Sequence, residues 1–317
     1  MAFSAVLSQM LVLSFIILMG FLARKLDIMS DAFDGTLSRL VLDVTLPCMI
    51  LGSVLTSTEA PSKQVIFDIL TYSVAAYALI IALSLLIPRL LGSPRDERGA
   101  YAFMITFSNV GFMGFPVLST MFGSEAVLYG AIFNIPFNIL VFTIGVLMVA
   151  RQGGVREGVS LKKRLISNAK KLLSPSVVTS AVAMVLALCG VYNMGTLGAA
   201  FQAMGELTTP AALLIIGSSL AKYSPREMLS NWRSYVITAV RLLAVPAAVL
   251  FAFRPFVTDP LTLGVIVVLC GMPVATNGLM LCLRYNGNLK VMTQGVFLST
   301  VASIITIPCL SLLLQLA

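Results

Sequence analysis

Apolar stretches separated by short polar connections occupy almost the whole chain. Ten of them are about as long as a helix that crosses a bilayer, roughly 20 residues. They fall near 4–24, 34–55, 65–91, 99–121, 125–150, 173–192, 199–221, 232–253, 261–283 and 289–316. The pattern predicts an all-α polytopic membrane protein with ten transmembrane helices. The 34–55 and 99–121 stretches are less hydrophobic than the rest, so nine spans also fit. Two stretches carry breaks. In Phe107-Ser-Asn-Val-Gly-Phe-Met-Gly-Phe-Pro116, Gly111, Gly114 and Pro116 lie within six residues, removing helix stability and a backbone donor. The second break, Gly271-Met-Pro-Val-Ala-Thr-Asn-Gly278, lies in the matching stretch of the second half. In hydrocarbon, backbone groups freed in this way persist only where protein or a water-filled cavity satisfies them. Paired broken helices in corresponding halves point to a transporter's binding site.

Composition agrees with the membrane reading. Mean hydropathy is +0.99, with 58% hydrophobic and 11% charged residues, which does not suit a soluble domain of 317 residues. The first stretch has no basic residue before it, is followed by Arg24-Lys25, and is longer than a signal-peptide core, so it reads as an uncleaved first span. With the N-terminus outside, the inner connections collect 18 of the 21 Lys and Arg residues. This is the asymmetry that the positive-inside rule expects. It places the chain in the cytoplasmic membrane, with both termini outside and the basic loops in the cytoplasm. The net charge of +8 then reports topology and anionic lipid rather than a nucleic-acid partner. Cys48, Cys189, Cys270, Cys282 and Cys309 all lie in apolar stretches without paired spacing, as packing residues do.

The basic connection at 151–172 divides the chain into a first five-helix repeat, 1–150, and a second, 173–317. A shift of 163 residues lays Asp43-Val-Thr45-Leu-Pro47 on Glu206-Leu-Thr208-Thr-Pro210, and the broken fourth span on the broken ninth. An odd number of spans per half inverts the second copy, as in the inverted repeats of secondary transporters.

Several residues could carry chemistry in this frame. Asn109 and Asn277 each lie beside a break, where half-helix N-termini present free N–H groups and positive dipole ends. An amide there can donate to a carboxylate or accept from a cation without titrating; alternatively, it ties up backbone groups that the break sets free. Gly111 and Thr276 accompany them, and Gly114, Pro116, Pro273 and Gly278 shape the crossover. Asn134 and Asn138 flank Pro136 at i, i+4, either lining the cavity or bonding to the interior, and Gln294 in the tenth span has the same two readings. Asp43 and Glu206 are intramembrane acids, costly to bury and so candidates for coupling to H+ or Na+. Thr45 and Thr208 lie two residues further on, about 200° around a helix, and need not share a ligand set with them. Arg241, mid-span, could attract an anionic substrate or neutralise an acid. Trp232 and Tyr235 read as bilayer anchors.

Three segments together give a resemblance. Leu-Pro-Cys-Met-Ile-Leu at 46–51, Ser-Asn-Val-Gly-Phe-Met-Gly-Phe-Pro at 108–116 and Met-Pro-Val-Ala-Thr-Asn at 272–277 resemble the auxin efflux carrier family, as does Leu298-Ser-Thr-Val-Ala-Ser-Ile-Ile-Thr-Ile-Pro308. The short loops are closest to prokaryotic members, often called malate or malonate permeases. The resemblance implies a fold shared with bile-acid sodium symporters and sodium/proton antiporters. A scaffold from 4–55 and 173–221 would carry a transport domain from 65–150 and 232–316. It further implies a small organic anion (a carboxylate, dicarboxylate or auxin-like acid), an elevator-like shift, and a homodimer joined through the scaffold.

Other classes fit less well. The chain has no histidine, which removes a serine–histidine dyad and His-ligated metals, and it lacks a Gly-x-Gly-Asp motif, so an enzyme is not expected. No cofactor is expected beyond a coupling ion. An anion channel or a membrane sensor remains as an alternative from another class. A sodium-coupled symporter of the bile-acid type would draw on Ser108, Asn109, Thr276 and Asn277. The lack of an acid in either break favours proton coupling or uncoupled anion movement.

Overall fold

The computed structural model describes residues 3–57, 62–150, 175–222, 224 and 228–316. The basic connection at 151–172 lies outside the described residues. Among these, regular structure is helical apart from one isolated antiparallel bridge, Ser108 to Val274. The helices of the first half are α1 (Phe3–Lys25), α2 (Asp31–Leu55), α3 (Lys63–Leu90), α4 (Arg98–Thr106), α5 (Val110–Phe122) and α6 (Glu125–Ala150). Those of the second half are α7 (Pro175–Leu188), α8 (Gly195–Ala221), α9 (Trp232–Phe253), α10 (Pro260–Cys270), α11 (Asn277–Tyr285) and α12 (Leu289–Leu316). Six of them, α2, α3, α6, α8, α9 and α12, are each long and apolar enough to cross a membrane; α5 and α10 are apolar but shorter.

Proline accompanies three of the four π turns among the described residues. Widened π turns at Val41–Thr45, Val110–Gly114 and Val240–Ala244 each lie just before a proline, respectively Pro47, Pro116 and Pro246. Proline has no N–H and its ring crowds the carbonyl four residues back, so the preceding turn widens.

Small residues set the packing of α8. The second half of α8 lies so close to α1 that a side chain at Gly217 would strike the Ile17 backbone, and its first half meets α2 where Gly198 faces Leu55. Such contacts replace the hydrophobic drive that lipid cannot supply between helices. Where α2 and α8 cross, the buried Thr208 hydroxyl donates to the Thr45 hydroxyl at 3.0 Å. At the ends of α1, α2 and α8, the buried Asp34 carboxylate accepts from Ser218 Oγ at 2.8 Å and pairs with Lys222 at 3.1 Å and Arg24 at 3.5 Å. Burial pulls the Lys222 ammonium down, but its bonds to Asp31 and Asp34 hold it above the ordinary lysine value.

An aromatic cluster stands behind the first break. The Phe103 and Phe107 rings lie 4.8 Å apart, Phe107 meets Phe137 edge-on at 5.8 Å, and Tyr77 packs on Phe133 at 5.4 Å. Ring pairs at these distances add about 0.5–1.5 kcal/mol each beyond area burial. They fix the position where the chain leaves helix α4.

Candidate functional site

Both breaks are real, and they cross each other. The segment after α4 and the segment after α10 run antiparallel: the Asn109 N–H donates to the Pro273 carbonyl at 2.7 Å, and the Ala275 N–H to the Phe107 carbonyl at 2.9 Å. A buried backbone must place its polar groups somewhere, and here each break satisfies the other. The Val274 N–H goes instead to Ser299 Oγ on α12, at 3.0 Å. Close packing supports the pair. A Cβ on Gly114 would fall 2.7 Å from Leu269, and one on Gly278 would fall 2.6 Å from both Phe103 and Met292. Pro116 is buried in the first turn after the π segment of α5.

Four helix ends therefore meet at one level. The C-termini of α4 and α10 point to one side, and the N-termini of α5 and α11 to the other. Arg241 serves the C-terminal side. It is fully buried, and it donates Nε to the Met272 carbonyl at 3.0 Å and Nη1 to the Ile105 carbonyl at 2.7 Å. Carbonyls orphaned at helix C-termini carry partial negative charge, which a cation offsets. Among the described residues Arg241 forms no ion pair, and it does not line the cavity described next. The acid partner that the sequence allowed is not formed among the described residues. The orphaned carbonyls explain why a cation is buried there.

On the N-terminal side lies a small cavity of about 60 Å³. Asn109, Gly111, Asn134, Asn138, Thr276 and Asn277 all line it, together with Leu42 and Leu46 of α2. The six residues come from the first break, α5, α6, the second break and α11, and no acid is among the lining residues. The Asn109 side-chain oxygen accepts from the Phe112 N–H at 3.3 Å, capping the π turn. Thr276 forms no such cap at the start of α11, and no hydrogen bond to the Asn277 side chain forms among the described residues. Asn138 Nδ2 donates to the Asn134 carbonyl at 2.8 Å, and the buried Asn134 Oδ1 has no partner among the described residues. A Cβ on Gly111 would meet nothing within 4 Å, so the space above the first turn of α5 is open. Two positive helix ends, several amides and no carboxylate suit an anion.

The two intramembrane acids are not part of this cavity. Asp43 is exposed beside Leu40 and Val44, which are 44% and 40% exposed. Glu206 lines a separate polar cavity of about 110 Å³ with Ser53, Ser119, Ser124, Gln202 and Thr209. Gln294 is also elsewhere: buried in α12, it donates to Ser230 at 3.1 Å and accepts from Ser234 at 3.4 Å, tying α12 to the start of α9.

Two contributors were not read from the sequence. Ser299 has no distinguishing spacing in a helix rich in serine and threonine, and only its contact with Val274 reveals its role. Tyr77 on α3 is fully buried behind the crossover, close to Ser108, Arg241 and Cys270. Nothing in the α3 pattern marks it.

Comparison with known proteins gives the family of the chain. Residues 5–311 match the family described as Membrane transport protein. An uncharacterized transporter of Methanothermobacter thermautotrophicus is 22% identical over 305 residues, covering 94% of this chain and 95% of that one. An uncharacterized transporter of Methanocaldococcus jannaschii is 23% identical over 306 residues, with the same coverage. The uncharacterized transporter YfdV of Escherichia coli is 22% identical over 304 residues, 92% of each chain. With nearly its whole length matched and several apolar helices able to cross a bilayer, the chain is a multi-pass membrane protein of the membrane transport protein family, the auxin efflux carriers.

Proposed function

We propose that the chain is a secondary transporter that moves a small organic anion across the cytoplasmic membrane by alternating access. The observation that carries this reading is the convergence of two helix N-termini and four asparagines on one cavity without an acid. The substrate carboxylate would lie against the N-terminal turns of α5 and α11, with Asn277 and the free edge of Asn109 donating to it. Asn134, Asn138, Thr276 and Gly111 would complete the wall. The cavity is smaller than a dicarboxylate, so this conformation holds the site nearly closed.

The reading extends to the architecture. Taken as broken spans, α4 with α5 and α10 with α11 bring the total to ten, five on each side of the 151–172 connection. Thr45 and Thr208, joined by a hydrogen bond, are 163 residues apart. That is the offset which aligns the two halves, and the contact is what a pseudo-two-fold axis between inverted copies would produce. Helices α1, α2, α7 and α8 would form the scaffold and the dimer contact. The rest would form the domain that slides past α2, whose Leu42 and Leu46 close the cavity. Both termini would face outward.

The coupling ion follows from the same site. With no carboxylate at the crossover, proton coupling through Asp43 or Glu206, or uncoupled anion movement, is favoured. Sodium coupling is the second reading, supported by the unpartnered Asn134 oxygen at the cavity. The test is flux of radiolabelled carboxylates into proteoliposomes, with and without Na⁺ and a pH gradient. Saturable uptake with counterflow is expected; conductance of many ions per opening would make the protein a channel.

A further inference from the structure

We propose that the groove between the end of α3, the start of α4 and the end of α6 is a binding site for an anionic phospholipid. Three arginines, Arg89, Arg95 and Arg98, line one cavity of about 540 Å³. That volume falls within the range of roughly 300–1,000 Å³ usual for ligand sites. No carboxylate pairs with any of the three among the described residues, where the ion pairs all involve Arg24 or Lys222. Arg98 donates Nε to the Ser93 carbonyl at 2.7 Å and lines the cavity, and Arg89 bonds the Leu85 carbonyl of its own helix. Arg95 is exposed and makes no contact with a protein acceptor among the described residues. Guanidinium groups without a carboxylate match a phosphate, to which they donate in pairs.

The rest of the groove argues for a lipid rather than a soluble anion. Below the arginines its walls are apolar, from Ile81, Leu85, Ile144 and Leu147. Of these, Leu85 and Leu147 are 44% and 37% exposed, so the groove opens sideways where hydrocarbon surrounds a multi-pass protein. A phosphate at the helix ends with an acyl chain along α3 and α6 satisfies both parts at once. Basic pockets between transmembrane helices bind anionic headgroups by this chemistry. A groove of about 430 Å³ between the end of α5, the connection from α9 to α10 and α12 has one arginine, Arg254, and serves as an internal control.

The experiment uses the purified full-length protein in a neutral detergent, with native mass spectrometry and thermal unfolding. Phosphatidylglycerol is added in one arm, phosphatidylcholine in a second and inorganic phosphate in a third. Retained phosphatidylglycerol and a raised Tm, absent with phosphatidylcholine, are expected. Arg95→Gln, which loses no protein contact, should weaken retention by roughly fivefold, as expected for one cation at a charged lipid surface. Adding Arg89→Gln should weaken it further, while Arg254→Gln leaves it unchanged. Equal retention of both lipids, or retention unaffected by Arg95→Gln, would overturn the site. A shift produced by inorganic phosphate alone would overturn the lipid as its ligand.

Discussion

The two breaks solve the same problem differently. Each ends a helix in the middle of an apolar stretch, and each lends backbone groups to the other through the bonds from Asn109 to Pro273 and from Ala275 to Phe107. The first then restarts through a π turn capped by its own asparagine, with the Asn109 oxygen on the Phe112 N–H. The second restarts directly at Asn277, without a side-chain cap from Thr276. One asparagine is thus partly committed to holding the fold, and the other is free to meet a ligand. On the proposed reading, residues that look equivalent in sequence would divide structure and recognition between them.

The largest effect should come from the residue common to both breaks. Arg241→Leu would leave the Ile105 and Met272 carbonyls unpaired inside the protein. Two hydrogen bonds to a charged group at about 1.5–3 kcal/mol each amount to a substantial part of a total stability of roughly 5–15 kcal/mol. The variant should elute as aggregate on size exclusion or melt far below the parent. Arg241→Lys should fall between, because an ammonium keeps the charge but lacks the fork that spans two carbonyls. A parent-like Tm for Arg241→Leu would mean that the two helix C-termini need no cation.

A middle effect separates the functions of the first break. Asn109→Ala removes the cap of the π turn and should cost about 0.5–2 kcal/mol, along with transport. Asn109→Asp keeps an acceptor for the Phe112 N–H, so its Tm should stay near the parent value. It also adds a negative charge to a cavity proposed for an anion, so flux should still be lost. If Asn109→Asp transported normally, the cavity would not be the anion site.

What could be read beforehand follows from what each feature depends on. The breaks were legible because Gly111, Gly114, Pro116 and Pro273 act locally, through missing donors and poor helix propensity. The cavity residues were legible because they lie within a few positions of those breaks, or at i, i+4 on one helix, as Asn134 and Asn138 do. The role of Arg241 was not, because it depends on two carbonyls 136 and 31 residues away in sequence. Ser299 was missed for the same reason, since a serine's partner is set by the tertiary approach of α12 to the second break. The bond between Thr45 and Thr208 was also unseen, although the offset of 163 residues had already placed the two in register.

The smallest effect on stability is expected at the second break, and it is the most telling. The Asn277 side chain holds no protein partner among the described residues and stands partly buried at the cavity, at the first turn of α11. Asn277→Ala should therefore unfold within about 0.5 kcal/mol of the parent, as substitutions away from packed or bonded positions do. If the amide donates to the substrate carboxylate, losing it removes one hydrogen bond to a charged group, about 1.5–3 kcal/mol, so apparent affinity should weaken roughly tenfold or more. Flux measured against substrate concentration would separate this from a folding defect, since KM should rise while the amount of folded protein in the vesicles stays constant. An unchanged KM would leave Asn109 as the sole amide donor of the two breaks. The division of labour between them would then fail, because the same residue would have to hold the turn and the ligand.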